Sequence, residues 1–174
     1  MNIPSQLNYR GVRLYLVLGA TAAAAAVALV LAANGNGQVA GARTIKLFEA
    51  PTGGTFGFVD NAPKTNRKDP HASIGDILAF SNSIFDESKK HLVGISSAQC
   101  IATRPGKIAA ATYACSGTFA LNDGTIAISA LQRGEPTTQL LAVTGGTGAY
   151  DGARGTIVSR TLKSGTEDTI TLLP

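Results

Sequence analysis

Cys100 and Cys115 are the only cysteines in the 174-residue chain. They lack the C-x-x-C spacing of a metal or redox motif, and His71 and His91 form no recognisable ligand set with them. A structural disulfide is the chemistry that fits. Segments 92–103 (LVGISSAQCIAT) and 110–121 (AATYACSGTFAL) both read as strands, with turn chemistry in Arg104-Pro105-Gly106-Lys107 between them. A hairpin centred near 107–108 sets Cys100 opposite Cys115. A bond closing that loop stabilises by roughly 3 kcal/mol through chain entropy. The glycine-rich segment Thr144–Gly155 is the second candidate, because glycines can cradle phosphates. Rossmann and P-loop glycines lead into a helix N-terminus, however. Here Thr156-Ile157-Val158 reads as another strand, and no GK[ST] arrangement occurs. These glycines therefore predict positive φ at a tight strand-to-strand corner. No Ser-His-Asp set can be nominated, since both histidines lie in or beside polar loops. No metal or other cofactor is expected.

The elements that must position any site are strands. Thr44–Glu49 alternates apolar and polar residues, and the Pro51-Thr52-Gly53-Gly54 turn leads to Phe56–Val59. Residues 60–74 read as an exposed polar loop, Asp76–Phe85 as a strand and Glu87–Lys90 as a turn. After the cysteine hairpin come Asn122-Asp123-Gly124, a tight-turn signal, and the strands Thr125–Leu131, Gln139–Thr144, Gly155–Leu162 and Glu167–Leu173. About eight short strands at this spacing, with no long helical period, predict a sandwich or barrel. Tyr113, Cys115, Phe119 and Leu121 share one face, and small residues occupy the other. That pattern suits a closed sheet with a filled interior and no free edge.

Residues Leu14–Ala33 form an uncharged apolar run preceded by Arg10 and Arg13. Its length lies between a signal-peptide core and a minimal membrane-spanning helix. The alanine-rich core and the small-x-small site Ala40-Gly41-Ala42 favour cleavage, giving a mature chain from Arg43; retention as an N-terminal anchor is the alternative. Either way residues 1–42 are a targeting segment, residues 43–174 the domain, and the domain lies outside the cytoplasm, secreted or membrane-anchored. Without Arg10 and Arg13, 13 basic residues face 11 acidic ones. The short basic runs sit beside acids, so no nucleic-acid partner is expected.

Four segments in order resemble the allene oxide cyclase and dirigent families. Gly75-Asp76-Ile77-Leu78-Ala79-Phe80-Ser81-Asn82 resembles their G-D-x-x-x-F-x-N strand, and Val93–Cys100 resembles V-G-I-x-x-G-x-C with Ala98 for the glycine. Asp123–Ile128 matches a glycine-plus-strand element. Ala142-Val143-Thr144-Gly145-Gly146-Thr147-Gly148-Ala149-Tyr150-Asp151-Gly152-Ala153-Arg154-Gly155 resembles the A-V-T-G-G-S/T-G-x-F/Y-x-G-x-x-G signature. The resemblance implies an eight-stranded antiparallel β-barrel with a central cavity, assembled as a homo-oligomer (dimer or trimer). It also implies candidate catalytic residues. Glu49 matches the cyclase glutamate at the end of the first barrel strand, which guides developing positive charge. Asn82 matches the asparagine that serves as the polar positioning group. The polar residue expected two positions after the glutamate falls on Pro51, and the acid and arginine of dirigent sites are missing around Ser129–Leu131 and at Thr138. From the residues alone, Glu49 also reads as a solvated rim carboxylate and Asn82 as a hydrogen-bonder to rim backbone. Asp76 and Tyr150 read as completing turns and edges, Tyr113 and Phe119 as core.

Two functions fit. The first is an exported barrel that binds a small apolar molecule, as a cyclising isomerase or stereochemistry-directing protein. The second is a non-catalytic secreted or surface barrel with a side-chain-filled interior that acts by oligomerising or by binding partners on its outside. An apolar leader at 14–33, if retained, would associate the first with a membrane.

Overall fold

The computed structural model describes residues 41–174 apart from 51, 66, 67 and 69. The leader, with its apolar run at 14–33, and Pro51 lie outside the described residues. Every described element is a strand: β1 Arg43–Glu49, β2 Thr55–Val59, β3 His71–Ala72, β4 Ile77–Asp86, β5 Leu92–Arg104, β6 Gly106–Lys107, β7 Thr112–Leu121, β8 Gly124–Arg133, β9 Thr138–Gly148, β10 Gly155–Leu162 and β11 Gly165–Leu172. No described helix is long and apolar enough to cross a membrane.

Eight strands close an antiparallel ring in the order β1-β11-β10-β9-β8-β7-β5-β4, and β4 returns to β1. β4 is shared along its length. Its end, Ile84–Asp86, pairs with β1, and its start, Ile77–Ser81, pairs with β2. β1 and β2 are thus one side of the barrel, interrupted between Glu49 and Thr55. Closure pairs the edges of the eight ring strands, which an open antiparallel sheet would leave exposed, while β2 pairs with β4 alone.

Cys100 pairs with Cys115 in the β5–β7 register, and the two form a disulfide, as the hairpin reading requires. The connection between them is longer than the expected four-residue turn. Ala110 and Ala111 donate their backbone N–H groups to Lys107 O, and β6 pairs with β3. The 60–74 segment, expected to be solvated throughout, is therefore partly docked. Ala72 is buried against Ala102, Ala111 and Tyr113. Asp76 is fully buried and accepts hydrogen bonds from the N–H groups of Asn61 (2.7 Å) and Ser73 (2.6 Å), so it organises this loop as a turn residue.

The glycine segment divides. Gly148 and Gly152 take φ of 64° and 69° in the β9–β10 turn, as expected of a tight corner. Gly145 and Gly146 instead continue β9, opposite Ala127 and Ile126. A Cβ on Gly146 would lie 2.2 Å from Tyr150 O, so close backbone approach is what demands glycine there. Tyr150 belongs to that turn, yet its ring is buried in the core rather than at an edge.

One end of the barrel is filled. Leu47, Ile84, Ile126, Ile157 and Ile170 point inward from five strands at 0–6% exposure, with Phe119, Val143 and Tyr150 beside them. Burial of this layer supplies the main hydrophobic stabilisation of the ring.

Candidate functional site

Above that floor the interior opens into a cavity of about 250 Å³. Its position follows from strand parity. Residues two apart face the same side, so the positions next to the floor along each strand also point inward. On β1 that position is Glu49, on β4 Asn82, on β10 Ser159 and on β11 Asp168, and all four line the cavity. Leu78, Phe80, Ile128 and Ala130 supply apolar wall, with the Cys100–Cys115 bridge on the β5–β7 side.

Glu49 and Asn82 are brought together. Asn82 Nδ2 donates to Glu49 Oε2 at 2.7 Å across the β1–β4 junction. The junction is a bulge: Ala50 N donates to Ser83 O (3.0 Å), and pairing resumes only at Thr55 with Ser81. Extra residues on one strand of a pair bend it and re-aim its side chains, and here they place the end of β1 against Asn82. Gly54 closes the bulge tightly. A Cβ there would lie 2.5 Å from Asn82 Oδ1 and 2.8 Å from Ser81 O, so any side chain would displace the amide from its position.

Asp168 joins them from β11. It is 1% exposed, opposite Leu47 on β1 and Ser159 on β10. Glu49 pairs with Thr166, two residues from Asp168, which makes the two carboxyls diagonal neighbours on one face. Neither carboxyl oxygen of Asp168 has a protein hydrogen-bond partner, and the buried hydroxyl of Ser96 likewise has none. Burial pushes the Asp168 carboxyl up to about 7, and the charge of Glu49 adds to the rise. The Ser159 hydroxyl opposes this, but it does not reach hydrogen-bonding geometry. Burial also raises the Glu49 carboxyl, while Asn82 and then the nearby Ser96 hydroxyl, which stays short of hydrogen-bonding geometry, draw it back down. The two groups titrate as a pair. Near neutral pH such a pair can present one proton donor and one anion to a cavity occupant, which is the arrangement from which acid–base and charge-stabilising chemistry is built.

Asp168 was not anticipated from the sequence, although a signal existed. It has the parity of Ile170 and Leu172 in Glu167–Leu173, and an acid on the inward face of a strand is as unusual as Asn82. Ser96 was missed because serine is unremarkable in a strand. Tyr113 lies outside the cavity in the loop-side core, where its hydroxyl donates to Ile108 O at 3.0 Å. Phe119 belongs to the core and also lines the cavity.

The dirigent-like protein family matches residues 47–173. No curated protein is detectably similar in sequence. Among solved structures, a pyocyanin demethylase superposes with a TM-score of 0.59 at 20% identity, covering 76% of this chain and 99% of its own. A pterocarpan synthase dirigent protein gives 0.55 at 17% identity, covering 76% and 93%. An exo-specific intermolecular Diels-Alderase gives 0.53 at 19% identity, covering 75% and 97%. At these identities the likeness is one of fold.

Proposed function

The chain belongs to the dirigent-like protein family, and on that premise we propose that it is an exported barrel that binds a small, largely apolar molecule in its cavity and directs that molecule's chemistry. In this reading the reaction is a cyclisation or a stereochemically steered coupling. Glu49 stabilises developing positive charge, Asn82 holds Glu49 and positions a polar group, and Asp168 supplies or takes a proton. The observation that carries the reading is Asp168, a carboxyl that is 1% exposed on a cavity wall with no protein partner. A buried carboxyl left unpaired costs several kcal/mol of folding stability unless it stays protonated. That cost has no structural return here, whereas the equally buried Asp76 is hydrogen-bonded to the loop it organises. The activities named for the fold relatives, a demethylase, a Diels-Alderase and pterocarpan synthases, agree with a barrel whose cavity hosts reactive small molecules. Fold alone does not assign any one of these reactions.

The rival, a barrel filled by its own side chains, is disfavoured by the cavity and its carboxyls. Export is supported by the disulfide, which persists in oxidising compartments. Cleavage after Ala42 is part of the proposal, and the intact mass of the purified protein reports it directly. So is assembly into a dimer or trimer, for which the exposed outer-face residues Ile101, Leu131, Leu140 and Val158 offer apolar surface.

Native mass spectrometry of the protein from an exporting host, beside a Glu49→Gln variant, tests the central reading. A co-purifying small molecule that is lost or altered in the variant supports it. A barrel that carries nothing, and that ignores a panel of apolar ligands, overturns it.

A further inference from the structure

The cavity wall is one-sided in its charge. Glu49 and Asp168 line it, and no Lys, Arg or His does so among the described residues. Cations stand outside this wall: Lys46 Nζ reaches Glu87 at 2.7 Å, Lys89 Nζ reaches Glu167 at 2.8 Å, and Lys163 lines a separate pocket on the other side of Glu49 and Asn82. Buried carboxyls in proteins are ordinarily paired with a base or tied into a hydrogen-bond network. Here the one hydrogen bond made is from the Asn82 amide to Glu49, while the Ser96 and Ser159 hydroxyls stand near the two acids without reaching hydrogen-bonding geometry. The Ser96 hydroxyl, itself 5% exposed and on the same wall without a hydrogen-bond partner, is a further polar group able to donate or accept. Apolar and aromatic residues, Phe56, Phe80 and Phe119 among them, supply much of the remaining wall, beside uncharged hydroxyls and amides such as Thr118, Gln132 and Gln139.

We infer that the molecule this cavity accommodates is a small organic cation, an apolar body bearing a quaternary or protonated nitrogen, seated with its charge against Asp168 and Glu49. The inference rests on the reading of the cavity as a ligand site and adds the ligand's charge to it. Two features of the wall select for such a cation. Opposite charge in a weakly polarisable interior is attracted far more strongly than in water. Aromatic rings attract a desolvated cation through their quadrupoles. A neutral alcohol or phenol would satisfy Ser96 and one carboxyl oxygen but would leave the pair's negative charge uncompensated. An anionic ligand would add a third like charge. The cation in question is a ground-state charge on the ligand, present before any reaction begins. It is thus distinct from the transient positive charge that a cyclisation would develop.

Matched isosteres test this. Calorimetric titration of the exported protein would compare 1-methylquinolinium with 1-methylnaphthalene, and benzyltrimethylammonium with neopentylbenzene. Within each pair only the charge differs. The expected result is that the cation binds about tenfold or more tightly than its hydrocarbon isostere, a difference of about 1.4 kcal/mol. In Asp168→Asn that preference should collapse towards unity, and in Glu49→Gln it should shrink. Both substitutions keep side-chain volume, and circular dichroism verifies their folding. Equal affinities within each pair, or binding of the hydrocarbons alone, overturn the cation while leaving the cavity as a ligand site. Failure of all four probes to bind overturns both.

Discussion

The two halves of the barrel interior are built from the same strands and differ by two residues along each. At the filled end β1, β4, β10 and β11 contribute Leu47, Ile84, Ile157 and Ile170. One step along, the same strands contribute Glu49, Asn82, Ser159 and Asp168. A ring of eight strands is just wide enough for one layer of large side chains to meet at the axis. Branched aliphatics therefore close the floor. Shorter polar side chains at the next level leave volume between them. The same geometry yields stability where the inward residue is large and a chamber where it is small. Truncating the floor should destabilise the ring, whereas neutralising Asp168 in the cavity layer should stabilise it.

The largest effect is expected in the floor. Ile157→Ala removes a fully buried side chain from a layer with no slack, and should cost about 3–4 kcal/mol in urea unfolding. A loss under 1 kcal/mol would mean that the floor is not the closely packed layer described.

In the cavity layer the sign reverses. The Asp168 carboxyl titrates at about 7 in the folded protein, against a reference value of 3.8. The folded state then holds a proton that the unfolded chain has already lost. Stability from this residue is full below pH 4, declines as the pH rises towards 7, and is absent above it. Asp168→Asn should remove that decline and raise stability at pH 8 by roughly 2 kcal/mol, less than the full linkage value because the buried amide also lacks partners. Unfolding curves at pH 5 and pH 8 measure it. A variant that is less stable than the parent at pH 8 would show that Asp168 serves the fold after all.

The smallest change is expected at Asn82. Asn82→Ala deletes the donor to Glu49 Oε2 and should cost about 1 kcal/mol. It should also raise the Glu49 carboxyl further, since its main counterweight to burial is gone. Carboxyl titration by NMR would show that rise, and an unmoved Glu49 would detach Asn82 from the site.

Much of this was legible in the sequence, for reasons visible at particular residues. Strand parity and the Arg104–Lys107 turn place Cys100 opposite Cys115, because an antiparallel hairpin leaves no freedom once its centre is known. The inward set Tyr113, Cys115 and Phe119 follows from the same period. The order of motifs led to Glu49 and Asn82, which the structure joins by a hydrogen bond. Other features were not legible. Nothing local says that the chain leaves β4 after Glu49 and rejoins it at Thr55, since the pairing partner lies some thirty residues away. Gly145 and Gly146 resemble turn glycines; the backbone of Tyr150 behind Gly146 explains the glycine there, whereas a side chain at Gly145 would meet nothing within 4 Å.

The sequence by itself determined an all-β chain, its disulfide and the inward face of strands such as β7, because each depends on contacts between near neighbours or on a period of two. Only the tertiary structure decided that β1 and β11 meet. That pairing, across more than a hundred residues, turns two unremarkable acids into one buried carboxyl pair. Its chemistry depends on burial and on mutual distance, and neither exists until the ring closes.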